Sequence, residues 1–438
     1  MKKFYLWVMG LLCLMLVGCG SKSSYEEGTK TLTLAVLQSE SQLHSSNLTK
    51  WVNTYNKTHK DVQIEIVNYY DGYSELDECI NRIKIEINAG KGPDMINFGG
   101  LYSPIDASCG MMTDLYPFIQ NDDSFKNQDF YFNILESFEV SGSLYVVVPN
   151  YSIGSFATIN EELRDLEMMN IQQLIAAYNR LDEGGILFPG ETKKAVLGML
   201  CHGSLDNYID WDKGTCSFSS ENFKEILRFS NGFPLHLNIT EEYSAKQIFT
   251  EGRALLYPVS INNVYTLTGI RLIYGKTPTY IGYPFDEGYG SIAAIEDIAI
   301  GISSTSKNKE EAWKFIRSLL DSEFQDNVKN GLPVRVSALE LRIEDAMNAE
   351  YDEMGEMIAK SYLRFEGEDP VDIYEISTED AETLKAIIGR IEFNEAIDNN
   401  LYNIMLEEAS YLFHEDRNVD DVADIIQNRV SIYISERK

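Results

Sequence analysis

The stretch Ala89-Gly-Lys-Gly-Pro-Asp-Met-Ile-Asn-Phe-Gly-Gly100 ends one helix, turns, and runs a short strand into glycines and aromatics. Upstream, residues 73–89 place Leu76, Cys79, Ile80, Ile83 and Ile87 at helical spacing. Gly90 and Gly92 suit the φ > 0 conformation of a helix C-terminus, and Pro93 cannot continue the helix. Residues 94–98 then read as a strand. Phe98-Gly-Gly-Leu-Tyr102 sits at its carboxyl end, where open α/β sheets bind ligands.

Working outward, residues 32–37 form a largely apolar strand of the buried, parallel kind. Ser46 or Asn47 caps a helix whose Leu48, Trp51, Val52 and Tyr55 share a face, and residues 62–67 alternate as a second strand. The order β-α-β-α-β with short connections predicts an α/β fold with a parallel sheet. Residues 38–41 and 98–102 then face the same sheet edge.

The N-terminus reads as an export signal. Lys2 and Lys3 precede an apolar run over 4–17, too short for a membrane span, that ends Leu16-Val-Gly-Cys19. This resembles a bacterial lipobox, which implies a signal peptide over 1–18 and lipidation of Cys19; a plain secretory peptide is the alternative. Residues 19–31 read as a flexible tether. The formal net charge of −31 argues against nucleic acid and anionic ligands. Cys79 with Cys109 and Cys201 with Cys216 are candidate disulfides, but four cysteines allow three connectivities and buried thiols fit equally well. The five histidines are too scattered for a metal cluster, and no GxSxG, HExxH or P-loop pattern is present. No cofactor, metal or catalytic residue is expected.

Further along, Gly142 opens a turn into an apolar strand, and Pro149 and Gly154 interrupt the β character as a chain crossing between domains does. Helical stretches follow from Asn160 and over 174–181, then a hairpin over 209–218 turning at Lys213-Gly214. Trp211 beside that turn is a ligand platform or, more often at such a place, a packing residue. Ser219 or Ser220 caps a helix, residues 249–260 run into a buried strand, 280–291 form a Tyr- and Gly-rich loop, and 292–302 form one apolar strand. The last hundred residues are helical and acidic, with an extended loop over 365–378.

GKGPD, GSLYVVVPNYSIG, FTEGRALL, GYPFDEGYGS, SKNKEEAWKFI and GLPVR follow the lipobox in order. Over residues 19–438 the chain resembles the extracellular solute-binding proteins of family 1, the carbohydrate-type lipoproteins of ABC importers, distantly like maltose-binding protein. The resemblance implies a two-lobed periplasmic-binding-protein-like fold of type II, with a hinge and a ligand cleft. Lobe 1 is expected over 32–149 plus 296–335 and lobe 2 over 150–295 plus 336–438, with crossings near 149–154, 285–295 and 333–341. Carried over, the cleft aromatic falls on Phe98, the polar positions after it on Leu101 and Tyr102, and further contacts on Asn150, Tyr151 and Ser152. The family's common tryptophan falls at or near Asn262, so no indole platform stands there.

Taken together, the expected ligand contacts are Gln38, Phe98, Tyr102, Asn150, Tyr151, Tyr257, Ser260, Asn262 and Tyr289. Aromatic rings pack on sugar C–H faces, and amides and hydroxyls pair with sugar hydroxyls. On this reading Tyr151→Ala weakens binding while sparing the stability of the free protein. The expected function is a lipid-anchored receptor on the extracellular face of the membrane, passing a mono- or oligosaccharide to an ABC permease. Two alternatives remain open. A polyamine or other cationic solute would use Asp286, Glu287, Glu296 or Asp297. A sensor partner for a membrane histidine kinase would share the same fold. A hydrolase is disfavoured, because adjacent Asp286 and Glu287 diverge instead of flanking one bond.

Overall fold

The computed structural model describes residues 29–73, 75–104, 107–123, 125, 129–164, 166, 168–202, 205–211, 213–237, 245–284, 290–364, 369–396 and 398–436. The leader, Cys19 and most of the tether lie outside them, as do Asp286, Glu287 and Tyr289. Among the described residues, no helix is long and apolar enough to cross a membrane.

Strands β1 (Lys30–Val36), β2 (Val62–Asn68) and β3 (Met95–Asn97) make a parallel sheet with β1 between its two partners. A fourth strand, Ile300–Ile302, joins β3 antiparallel at the edge. Leu32, Leu34, Ala35 and Val36 are all buried, as a strand covered on both faces requires. The helix Asn47–Thr58 starts where the Ser46 hydroxyl accepts from Thr49 N, and Leu76–Asn88 buries Cys79, Ile80, Ile83 and Ile87. That helix stops at Ala89, and Gly90 follows at φ 69°, a left-handed conformation natural to glycine. Asp94 then ties the sheet together: one carboxylate oxygen accepts from Thr33 N (3.0 Å), the other from the Ser306 hydroxyl (2.6 Å).

A second, mixed sheet is built around β4 (Asn150–Thr158). Leu332–Pro333, Tyr257–Ile261, Thr279–Tyr280 and Ile292–Ile295 all pair with it antiparallel, and Phe393–Asn394 joins Ile292–Ile295 in parallel. The odd-numbered face of β4 (Tyr151, Ile153, Ala157) enters the core shared with the first sheet. Phe156, on the even face, enters a second core under the helices Lys193–Cys201, Glu221–Asn231, Asn399–Phe413 and Val419–Ser435. The molecule is thus an α/β protein of two lobes.

Several local expectations change. The apolar run 292–302 is not one strand: it breaks at 296–299, and its halves join different sheets. Glu296 and Asp297 sit at the break, because two carboxylates do not continue a buried strand. Residues 161–164 form turns in place of a helix, and part of the expected 365–378 loop is a strand, Val371–Ile373, paired with Ser361–Leu363. The four cysteines are free thiols, so neither candidate disulfide is present. Trp211 is a packing residue, half-buried against the second core.

Candidate functional site

Three segments carry the chain between the sheets: 147–150, where Val147 still bridges Ile300 and β4 begins; 296–299; and the approach to Leu332–Pro333. One side chain ties all three. Asn150 Nδ2 donates to Asp297 Oδ1 (2.9 Å) and to the carbonyl of Asn330 (2.8 Å). Asn97, at the end of β3, adds a second tie: its Nδ2 donates to Asp297 O (3.1 Å) and its Oδ1 accepts from Ala299 N (2.9 Å).

Beside these ties, at the carboxyl ends of β1 and β3, lies a cavity of about 640 Å³. Its lining includes Gln38, Ser39, Gln42, Ser45, Ser46, Tyr70, Asn97, Phe98, Gly99, Leu101, Glu296, Asp297 and Asn330. Chain order explains the polar rim. β1 ends at Val36, and Ser39 with Gln42 closes a reciprocal cap on the helix Glu40–Ser45, so hydroxyls and amides cluster at the strand end. Gln38 is held there by Asn68, whose Nδ2 donates to the Gln38 carbonyl (2.7 Å).

A second cavity, about 580 Å³, lies in the other lobe. It is lined by Phe156, Phe188, Thr192, Lys194, His202, Pro258, Tyr283 and neighbours. Strand alternation connects the two. Asn150, Ser152, Gly154 and Phe156 share one face of β4, which runs without a bulge against both neighbouring strands. Asn150 meets the wall of the first cavity and Phe156 that of the second, about 20 Å apart along the strand at ~3.3 Å per residue. Between them, a Cβ on Gly154 would stand 3.5 Å from the Tyr283 hydroxyl. His202 packs on Tyr283 with the rings tilted at 31° and centroids 4.9 Å apart, and burial lowers its pKa, favouring the neutral ring.

The hinge wall is acidic. Burial raises the Asp297 pKa, offset in part by the Asn150 hydrogen bond and reinforced by Glu296. Burial also raises the Glu395 pKa, against the hydrogen bond from Ile295 N and with the charge of Glu296. Burial and then the charge of Glu395 push the Tyr283 hydroxyl up to about 12.

Of the expected contact residues, Gln38 and Phe98 line the first cavity. Asn150 is completely buried behind its wall as the hinge tie. Ser260 is exposed on the strand beside Gly154, and Asn262 is exposed one residue past that strand's end. Two tyrosines are placed in the core instead. Tyr151 points from the opposite face of β4 and is 0% exposed. Tyr257 packs on Phe249 (4.0 Å) and donates its hydroxyl to Ile248 O (2.7 Å). Tyr102 is also buried, against Phe98 and Phe138. Tyr289 lies outside the described residues. Sequence reading put Ser39 at the ligand edge within 38–41 without singling it out and passed over Gln42, although Ser-x-x-Gln is a legible capping signature. The lobe-2 cavity residues carried no comparable signal.

Among curated protein sequences, none matches this chain. The structure is similar to the sugar-binding protein MalE from Xanthomonas citri, with TM-score 0.58, 14% identity, and 93% of this chain and 98% of that one covered. It is similar to a periplasmic oligogalacturonide-binding protein from Yersinia enterocolitica (TM-score 0.58, 14% identity, 93% and 99% covered). It is also similar to an ABC substrate-binding protein from Listeria monocytogenes solved with cycloalternan (TM-score 0.54, 12% identity, 93% and 99% covered). These likenesses establish the fold. The profile described as Bacterial extracellular solute-binding protein matches residues 40–326, well over half of the sequence, and the chain belongs to that family.

Proposed function

We propose that this protein captures a mono- or oligosaccharide between its lobes and delivers it to an ABC permease from a lipid anchor on Cys19. The observation that carries the reading is the cavity at the ends of β1 and β3, where Phe98 and Tyr70 stand among the hydroxyls and amides of Ser39, Gln42 and Asn97. That mixture suits a ring with one apolar face and a hydroxyl rim. The proteins named above are described as binding sugars or glycans, which supports the same class. Residues 32–149 with 296–335 would form one jaw and 150–295 with 336–438 the other. Closure is a hinge motion, driven only by better binding to the closed form.

A thermal-shift screen of the protein from residue 20 onward tests this. A ligand bound by the folded state alone stabilises it by about 2.7 kcal/mol at a hundredfold excess over Kd. A several-degree shift with one glycan class is the expected result. Silence across mono- and oligosaccharides sinks the carbohydrate reading.

A further inference from the structure

We propose that the solute held in this cleft is a saccharide bearing a protonated amine, docked by its ammonium against Asp297 and Glu296. The inference rests on the capture reading above and narrows its substrate class. Three observations point the same way. Glu296 and Asp297 both line the cavity, and no Lys, Arg or His is among the described residues that line it. The hydrogen bond received by the Asp297 carboxylate from Asn150 comes from a neutral amide, which satisfies an oxygen without offsetting its charge. The cavity lining holds one acceptor with nothing to accept, and a second lies buried behind it. Asn150 is 0% exposed and its Oδ1 has no partner, while its amide nitrogen is held on Asp297 and Asn330, two residues of the cavity wall. Gln38 Oε1, also on the lining, is likewise buried and without a partner.

A partly desolvated carboxylate without a cation is unfavourable, and buried charges elsewhere in proteins are paired. A sugar hydroxyl donates one hydrogen bond and brings no charge. An ammonium brings three donors and a full positive charge, which fits a lining with two carboxylates and the unfilled Gln38 Oε1. Ser39 and Gln42, on the same lining, offer a hydroxyl and an amide that suit the rest of a sugar ring and that a bare alkyl polyamine leaves unmatched.

The test uses glucosamine oligomers, their N-acetylated counterparts, which lose the charge and gain an acetyl group, and neutral glucose oligomers, which lose the charge without added bulk, with spermidine alongside, titrated calorimetrically. The expected result is that the free-amine oligomer binds at least about tenfold tighter than its acetylated form, since charge-assisted bonds are the strong ones. Asp297→Asn, which keeps an acceptor oxygen for Asn150, removes that preference, and Glu296→Gln reduces it. Equal binding of the two forms, unchanged in both variants, overturns the proposal and leaves saccharide capture standing. Spermidine bound in preference to every saccharide overturns the amino-sugar assignment. Failure of every probe to bind overturns the proposal together with the capture reading.

Discussion

Asn150 and Tyr151 are neighbours in sequence and face opposite ways. The Tyr151 ring fills core on the odd face of β4, and its hydroxyl is buried without a partner. Tyr151→Ala is therefore expected to cost the free protein about 3–5 kcal/mol, as large aromatic deletions in cores do. Tyr151→Phe is expected to change stability by less than about 1 kcal/mol, because no hydrogen bond is lost. Urea unfolding of the two variants checks both, and an unchanged midpoint for Tyr151→Ala would return the ring to the cleft. Asp297 sets up the opposite case. Its folded pKa is raised, so the folded state binds protons more readily than the unfolded chain, and stability from this group falls as pH rises through the folded value. Asp297→Asn should raise the stability of the free protein at neutral pH by on the order of 1 kcal/mol. The gain should vanish below about pH 4, where the unfolded carboxyl is also protonated. Denaturant midpoints at pH 7 and pH 4 measure it.

At the scale of elements, two joints hold the fold. The first is Gly331, which brings the third crossing onto β4 at φ 79°. A Cβ there would stand 2.8 Å from the Tyr151 carbonyl oxygen and 2.7 Å from the Glu296 side chain. Gly331→Ala is expected to destabilise by about 2 kcal/mol or more, strain in the left-handed region adding to the clash. A wild-type melting temperature for that variant would mean that the crossing moves freely. The second joint links the helices Thr266–Tyr274 and Thr378–Ile388, where Asp380 accepts from Arg271 Nη2 (2.8 Å) and Thr268 Oγ1 (2.7 Å). Burial works to raise the Asp380 pKa, but the hydrogen bonds from Arg271, Thr268 and Ser377 outweigh it, and the net shift is downward. The stability it contributes is present above the unfolded value near pH 3.9 and is lost as pH falls through the lower folded value. Asp380→Asn should cost about 2 kcal/mol at pH 7, below the range for a fully buried pair because Arg271 is partly exposed, and the cost should shrink in acid.

For the whole molecule, the three crossings bundled by Asn150 carry the chain between the two sheets, while one core is shared by both sheets and a second lies under the helices beyond β4. On the capture reading, closure is a hinge motion about these crossings. Ligand is expected to lower the radius of gyration measured by small-angle scattering. Asn150→Ala, which removes the tie, should weaken binding and cost the free protein about 1–3 kcal/mol through acceptors left unpaired. A ligand-saturated protein with an unchanged scattering profile would rule out closure.

Much of the first lobe was legible locally. The buried run of β1, the apolar faces of its helices, Gly90 as a helix stop and the turn through Asp94 each follow from spacing within a dozen residues. Gln38 and Phe98 came from the same logic, since both end strands of a parallel sheet. The cleft around β4 was not legible in this way. Asn150, Tyr151 and Ser152 read as one contact region, but a strand sends alternate side chains to opposite faces. Which phase meets the cleft was set by pairing with residues 257–261 and 292–295, over a hundred positions away. The apolar run 292–302 likewise looked continuous, and only its division between two sheets put Glu296 and Asp297 at the hinge. Sequence by itself determined the elements of the first sheet and its helices, their faces and the family, because periodicity and turn chemistry are local. The inward phase of β4, the burial of Tyr151 and Tyr257 and the acidic hinge wall were decided by tertiary structure, because each depends on distant partners.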